Sequence, residues 1–174
     1  MCYDGVGQRF HMIIGAMSDT HDRLDAVEKA IAFFNSEGVT DVLHAGDLVS
    51  PFVVPLFSML KAKLHYVWGN NEGDRDYIKV RFADIGVSPL GRLAELELGG
   101  RRVALLHGTH EETVASLVGS GAYDLIVRGH THRAEIVGGR PVVVNPGETC
   151  GYLTGRQTVA LIDLDELHGQ IVEL

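Results

Sequence analysis

Two cysteines in 174 residues, Cys2 and Cys150, are too few for a disulfide framework and fit neither a CxxC zinc site nor a redox motif. A reducing, cytoplasmic environment is the expectation. No apolar run approaches the roughly 20 residues of a membrane span. Positive charge is also scarce. Against 23 Asp and Glu there are 15 Lys and Arg, a net charge of −8, which argues against a sequence-independent grip on nucleic acid. Neither low-complexity tracts nor internal repeats are present. The first eleven residues, MCYDGVGQRFH, lack the apolar centre of a signal peptide and have no helical or strand period. They read as a dispensable N-terminal extension, residues 1–11, ahead of a single domain over residues 12–174.

What is present, 45% hydrophobic and 22% charged residues, suits a globular domain long enough to bury roughly two-thirds of its unfolded surface. MIIGAMS (Met12–Ser18) is a short apolar run of the kind buried on both faces of a sheet. After DTHD the period changes: Leu24, Val27, Ile31 and Phe34 share a helical face, and Gly38 follows as a C-cap residue. Asp22 is placed to cap that helix, with Asp25 in its opening turn. Asp41–Asp47 reads as a second strand, Pro51–Leu60 as a short helix whose start Pro55 blurs, and Lys63–Asn70 as a third strand. This βαβαβ order implies parallel strands.

A helix is expected over 74–85, and then the texture changes. LAELELGGRRVALLHG alternates around Gly99-Gly100, a hairpin signal. Val114, Leu117 and Val118 suggest a further helix and YDLIVRG a strand. Two more hairpins are expected around Gly138-Gly139 and near Glu166–Gly169. A parallel half followed by a hairpin-rich half points to the α/β class, with mixed sheets packed together and helices outside.

Chemistry collects at the strand ends. Asp19 and His21 follow the first strand, Asp47 ends the second and Asn70 the third. His107 ends the second arm of a hairpin, and His130 and His132 follow the strand in YDLIVRG. Ligands of open α/β sheets bind outside the carboxyl ends of strands, where these seven donors fall. Gly46, Gly69, Gly108 and Gly129 accompany them and allow tight turns and close backbone approach.

Taken in order, SDTHD, HAGDLVS, GNNE, HG and GHTH resemble the calcineurin-like metallophosphoesterases, and among them the small YfcE-like phosphodiesterases. NPGETCGYLTG (Asn145–Gly155) and the paired asparagines are most similar to the archaeal branch. The resemblance runs from Met12 to the C-terminus and implies a four-layer α/β/β/α sandwich of two mixed sheets, the metallo-dependent phosphatase fold. It further implies two divalent metal ions. One would be held by Asp19, His21, Asp47 and His132, the other by Asp47, Asn70, His107 and His130, with Asp47 bridging. Imidazole and carboxylate without thiolate suit transition ions, Mn²⁺ or Ni²⁺ foremost, with Fe, Co or Zn also compatible.

The implied activity is hydrolysis of a small phosphodiester by hydroxide formed between the ions, with no side-chain nucleophile. Many relatives carry histidine, and YfcE-like ones often cysteine, where this chain has Asn71. An amide can donate a hydrogen bond to the substrate but cannot deliver a proton at neutral pH, so Asn71 is expected to be a substrate contact and esters with good leaving groups are expected to be favoured. His110, three residues past His107, is a candidate proton donor or phosphate contact. Around these, His44 is expected to pack or to orient Asp47, and Glu72 to support Asn70 and Asn71 or to lie in solvent. Arg75 and Arg133 would face solvent or steer an anion, and Cys150 would be a structural thiol. His11, His65 and His168 have surface or packing roles.

Competing readings are a catalytically silent scaffold of the retromer-subunit type, a phosphomonoesterase and a nuclease. The first is disfavoured because all seven ligand positions are filled. The last is disfavoured because the chain has neither a basic stripe nor room for a DNA-contacting domain. No stable nucleic-acid or membrane partner is expected, and exposed hairpin edges leave a homodimer possible.

Overall fold

The computed structural model describes residues 11–174. The expectation for the first eleven residues therefore lies almost wholly outside the described residues. Ten strands form two five-stranded sheets. In the first sheet, β1 (Ile13–Met17), β2 (Asp41–His44) and β3 (Lys63–Tyr66) run parallel, and β9 (Thr158–Asp163) and β10 (His168–Glu173) add antiparallel strands in the order β10-β9-β1-β2-β3. The second sheet is β4 (Leu93–Leu98), β5 (Arg101–Leu106), β6 (Leu125–Val127), β8 (Val142–Pro146) and β7 (Ala134–Val137), with β5, β6 and β8 parallel.

Alternation along the strands builds the layers. Ile14 and Ala16 of β1 meet Val103 and Leu105 of β5, with Leu125 and Val127 of β6, in a core between the sheets. On the other face of the first sheet, Met17, Val42 and Tyr66 pack against α1 (Leu24–Glu37), a 3₁₀ turn (Val54–Met59) and α2 (Arg75–Asp84). The outer face of the second sheet puts Ala104, Leu106 and Ile126 under α3 (Glu111–Gly119). Three cores separate four layers, the α/β/β/α order expected. Gly15 makes room for α1, since a Cβ there would lie 2.5 Å from the Phe34 ring.

All three expected hairpins form. Gly99 and Gly100 both have positive φ, 56° and 74°, as a two-residue type I′ turn requires. Gly38 caps α1 in the left-handed conformation, its N–H donating to the Phe34 carbonyl. Three local readings need correction. The short helix expected over Pro51–Leu60 is a 3₁₀ stretch limited to Val54–Met59, with Pro55 near its start. The N-cap position of α1 is Arg23, without a side-chain cap, and Asp22 instead accepts from the Ser50 N–H (3.0 Å) and hydroxyl (2.8 Å). Strands β2 and β3 stop three to four residues before Asp47 and Asn70, which sit in the loops that follow.

Candidate metal centre

Those loops leave the carboxyl ends of β1, β2, β3, β5 and β6 and meet at one end of the sandwich. Asp19 and Asp47 are buried there, and three imidazoles close on them. His132 Nε2 lies 3.2 Å from Asp19 Oδ1, His107 Nε2 3.4 Å from Asp47 Oδ2, and His21 Nε2 3.8 Å and 3.7 Å from the two carboxylates respectively. Two overlapping sets result, Asp19–His21–His132 and Asp19–Asp47–His107, with all donor atoms of each set within 4.8 Å of one another. Their alignment is poor for hydrogen bonding. Asp19 Oδ1, His21 Nε2 and His107 Nε2 are buried without any hydrogen-bond partner, a costly state that a cation between them would relieve.

The other two expected ligands flank these sets. His130 is half-buried with its ring 5.2 Å from that of His107, edge to face, and its backbone N–H donates to Asp19 Oδ2 at 3.1 Å. Asn70 sits on the rim, its Oδ1 accepting from the Thr109 hydroxyl at 3.3 Å. Asn71 lies directly on Asp47, donating its backbone N–H to Oδ1 (2.8 Å) and its amide Nδ2 to Oδ2 (2.7 Å). His110 is the N-cap residue of α3 and is exposed, and its side chain makes no capping bond.

The backbone is held in unusual shape here. Five of the seven candidate ligands have positive φ although none is glycine: Asp19 (54°), His21 (39°), Asp47 (57°), His130 (72°) and His132 (59°). Such conformations cost of order 1–3 kcal/mol each and persist where surrounding structure dictates them. The accompanying glycines are part of that surrounding. A Cβ on Gly69 would meet Asp47 Oδ1 at 2.1 Å, and one on Gly129 would meet Ser18 Oγ at 1.9 Å and Asp19 Oδ2 at 2.7 Å.

Electrostatics keep the carboxylates charged. Burial works to raise the Asp19 carboxyl, but His132 and His21 beside it hold it far below the usual range. Burial likewise opposes ionisation of Asp47, yet His107 and Asn71 bring it down to about 2. The adjacent Asp19 carboxylate, with Glu148 behind, raises His132 to about 9 against the effect of burial. His44 is driven down to about 3 by complete burial and so is neutral, contacting Thr20 Oγ1 (3.3 Å) and accepting from the Gly46 N–H (3.1 Å). It packs beneath the site and does not touch the Asp47 carboxylate.

Two carboxylates around the site were not recognised from sequence for what they do. Glu148, fully buried, accepts from His132 Nδ1 at 2.7 Å and from the backbone N–H groups of Leu153 and Thr154. It fixes the ring so that Nε2 faces Asp19, the carboxylate–histidine arrangement that orients metal ligands. The only hint lay in its place within NPGETCG. Glu72 supports neither asparagine. Its Oε1 accepts from the Asp47 N–H (2.8 Å), the Leu48 N–H (3.3 Å) and the Tyr66 hydroxyl (2.5 Å). Burial, then the Glu72 charge, pushes the Tyr66 phenol far up, so it stays a donor. Arg75 is also engaged, donating to the Gly69 carbonyl (3.0 Å) and lying over the Trp68 ring, whereas Arg133 is exposed. Cys150 is buried, which raises its thiol to about 12, as a structural role requires.

Sequence comparison agrees with this geometry: residues 12–167 match the calcineurin-like phosphoesterase superfamily domain, and the chain belongs to that family of metal-dependent phosphoesterases. Phosphodiesterase MJ0936 of Methanocaldococcus jannaschii is 40% identical over 157 residues, 89% of this chain and 95% of the relative. Among solved structures, one described as a novel archaeal phosphodiesterase superposes with a TM-score of 0.89 at 38% identity, covering 94% of this chain and all of that one. Yfce, a phosphoesterase from E. coli, shares the fold, with a TM-score of 0.66 at 20% identity over 92% of this chain and 98% of its own.

Proposed function

We propose that the chain hydrolyses small phosphodiesters at a dinuclear centre held by Asp19, His21, Asp47, Asn70, His107, His130 and His132. The observation that carries this reading is the set of buried, unpartnered donor atoms around two ionised carboxylates. No thiol joins the Asp47 side of the site, and imidazole with carboxylate suits first-row transition ions, of which Mn²⁺ and Ni²⁺ are the proposed pair to test. Two such ions, when bound, would supply Lewis acidity toward phosphoryl oxygens and activate water for attack.

The residues' own tasks follow from position. Glu148 and the Ala45 carbonyl, 2.8 Å from His107 Nδ1, keep Nε2 of His132 and His107 aimed inward. Asn71 holds both oxygens of Asp47, so it acts first on that carboxylate, and its amide offers no proton to a leaving group. His110 is exposed at the start of α3 and would contact the substrate only from the rim. Selectivity for diesters with acidic leaving groups follows.

The test is hydrolysis of bis(p-nitrophenyl) phosphate, p-nitrophenyl phosphate and an alkyl diester, with added Mn²⁺ or Ni²⁺ and with chelator. Chelation should abolish turnover, and the aryl diester should exceed the other two. Undiminished hydrolysis after metal removal, or equal rates for alkyl and aryl diesters, would refute the reading.

A further inference from the structure

Beside the candidate centre is a cavity of about 240 Å³ walled by Trp68, Asn70, Arg92, Leu93, His110 and Thr113. It adjoins the centre, because its lining includes the candidate ligand Asn70 and Gly108, the residue after His107. We propose that this cavity is the subsite for one ester arm of the substrate, and that it accepts a single flat ring carrying a hydrogen-bond acceptor. The inference rests on the phosphodiesterase reading given above.

Three observations select that occupant. The lining includes Trp68, Leu93 and Leu106, large apolar residues suited to contact with an aromatic ring. The volume accommodates one ring, since a cavity of about 150 Å³ already takes benzene. Arg92 is exposed at the mouth and makes no ion pair or side-chain hydrogen bond among the described residues. Its guanidinium is available to an acceptor on the ring, such as a carbonyl or nitro oxygen. A larger groove of about 600 Å³ on the outer face of the second sheet offers less, because its Arg128 is already clamped by Glu111 at 2.6 and 2.7 Å.

Trp68 is the chain's single tryptophan, so it reports occupancy directly. The Mn²⁺-supplemented protein would be titrated with 4-nitrobenzylphosphonate, whose C–P bond resists hydrolysis, and with methylphosphonate as the ringless control. Saturable quenching by the first and not the second is expected. Thr113→Phe, a change at an exposed position of α3, should fill the cavity, weaken that binding at least tenfold and raise KM for bis(p-nitrophenyl) phosphate by a similar factor. Arg92→Ala should weaken the nitrobenzyl ligand about three- to tenfold and unsubstituted benzylphosphonate less. Absent quenching, or binding unaffected by both substitutions, overturns the subsite even if diesters are hydrolysed. Intact quenching without metal-dependent hydrolysis keeps the ring site and removes the activity assigned to its neighbour.

Discussion

Removing Glu72 should cost more stability than its surface-loop position in the sequence suggests. Its Oε1 is the shared acceptor for the Asp47 N–H, the Leu48 N–H and the Tyr66 hydroxyl, and Tyr66 is fully buried. A buried donor left without its acceptor costs about 1–3 kcal/mol, so Glu72→Ala should destabilise by about 2–6 kcal/mol through Asp47 and Tyr66 together. The longer Leu48 contact adds less. Tyr66→Phe removes one charge-assisted bond, about 1.5–3 kcal/mol in the native background. In the Glu72→Ala background the same change removes an orphaned buried hydroxyl and should recover about 1–3 kcal/mol. Urea denaturation of the four proteins in EDTA measures this cycle without interference from metal binding. The expected coupling is about 2.5–6 kcal/mol, and a value below about 0.5 kcal/mol would show that Tyr66 and Glu72 do not act as a unit.

Glu148→Gln should lower metal affinity by about 10–100-fold, read by calorimetry with Mn²⁺, because the His132 ring loses the carboxylate that orients it. In the metal-free protein His132 has a pKa raised to about 9, above its ordinary 6.5. Its contribution to stability is therefore complete below pH 6.5 and lost as pH rises through about 9. Metal binding must expel that proton, so affinity should climb with pH across the same window and level off above it; a flat profile would contradict the assignment. Cys150→Ser should leave turnover intact, and the native thiol, raised to about 12, should resist alkylating reagents until the protein unfolds. Asn71→His should extend hydrolysis toward poorer leaving groups, measured as a shallower dependence of kcat on leaving-group pKa, and an unchanged slope would rule out that position as a proton donor.

The cluster was legible because its Asp, His and Asn residues each follow an apolar strand, four of them next to a glycine, and parallel strands must bring such ends together. Hairpins at Gly99-Gly100 and Gly138-Gly139 were legible for a similar local reason. The supporting carboxylates were not. Glu72 and Glu148 work through backbone N–H groups and a ring nitrogen reached only after folding, and nothing in their immediate neighbours distinguishes them from solvated loop residues. Asp22 shows the reverse failure: a residue at the right spacing to cap α1 is captured by Ser50 across the loop, because Asp22 itself takes a positive φ of 56° that points the chain elsewhere.

The candidate ligands come from both sheets: Asp19, His21, Asp47 and Asn70 from loops of the first, His107, His130 and His132 from loops of the second. Asp19 stands at the seam, its carboxylate taking the His130 N–H and its carbonyl the Cys150 N–H. An ion seated between such halves behaves as a rivet through two plates. Loading it would resist their sliding apart as well as enable chemistry, so occupancy of the centre and cohesion of the sandwich should rise and fall together.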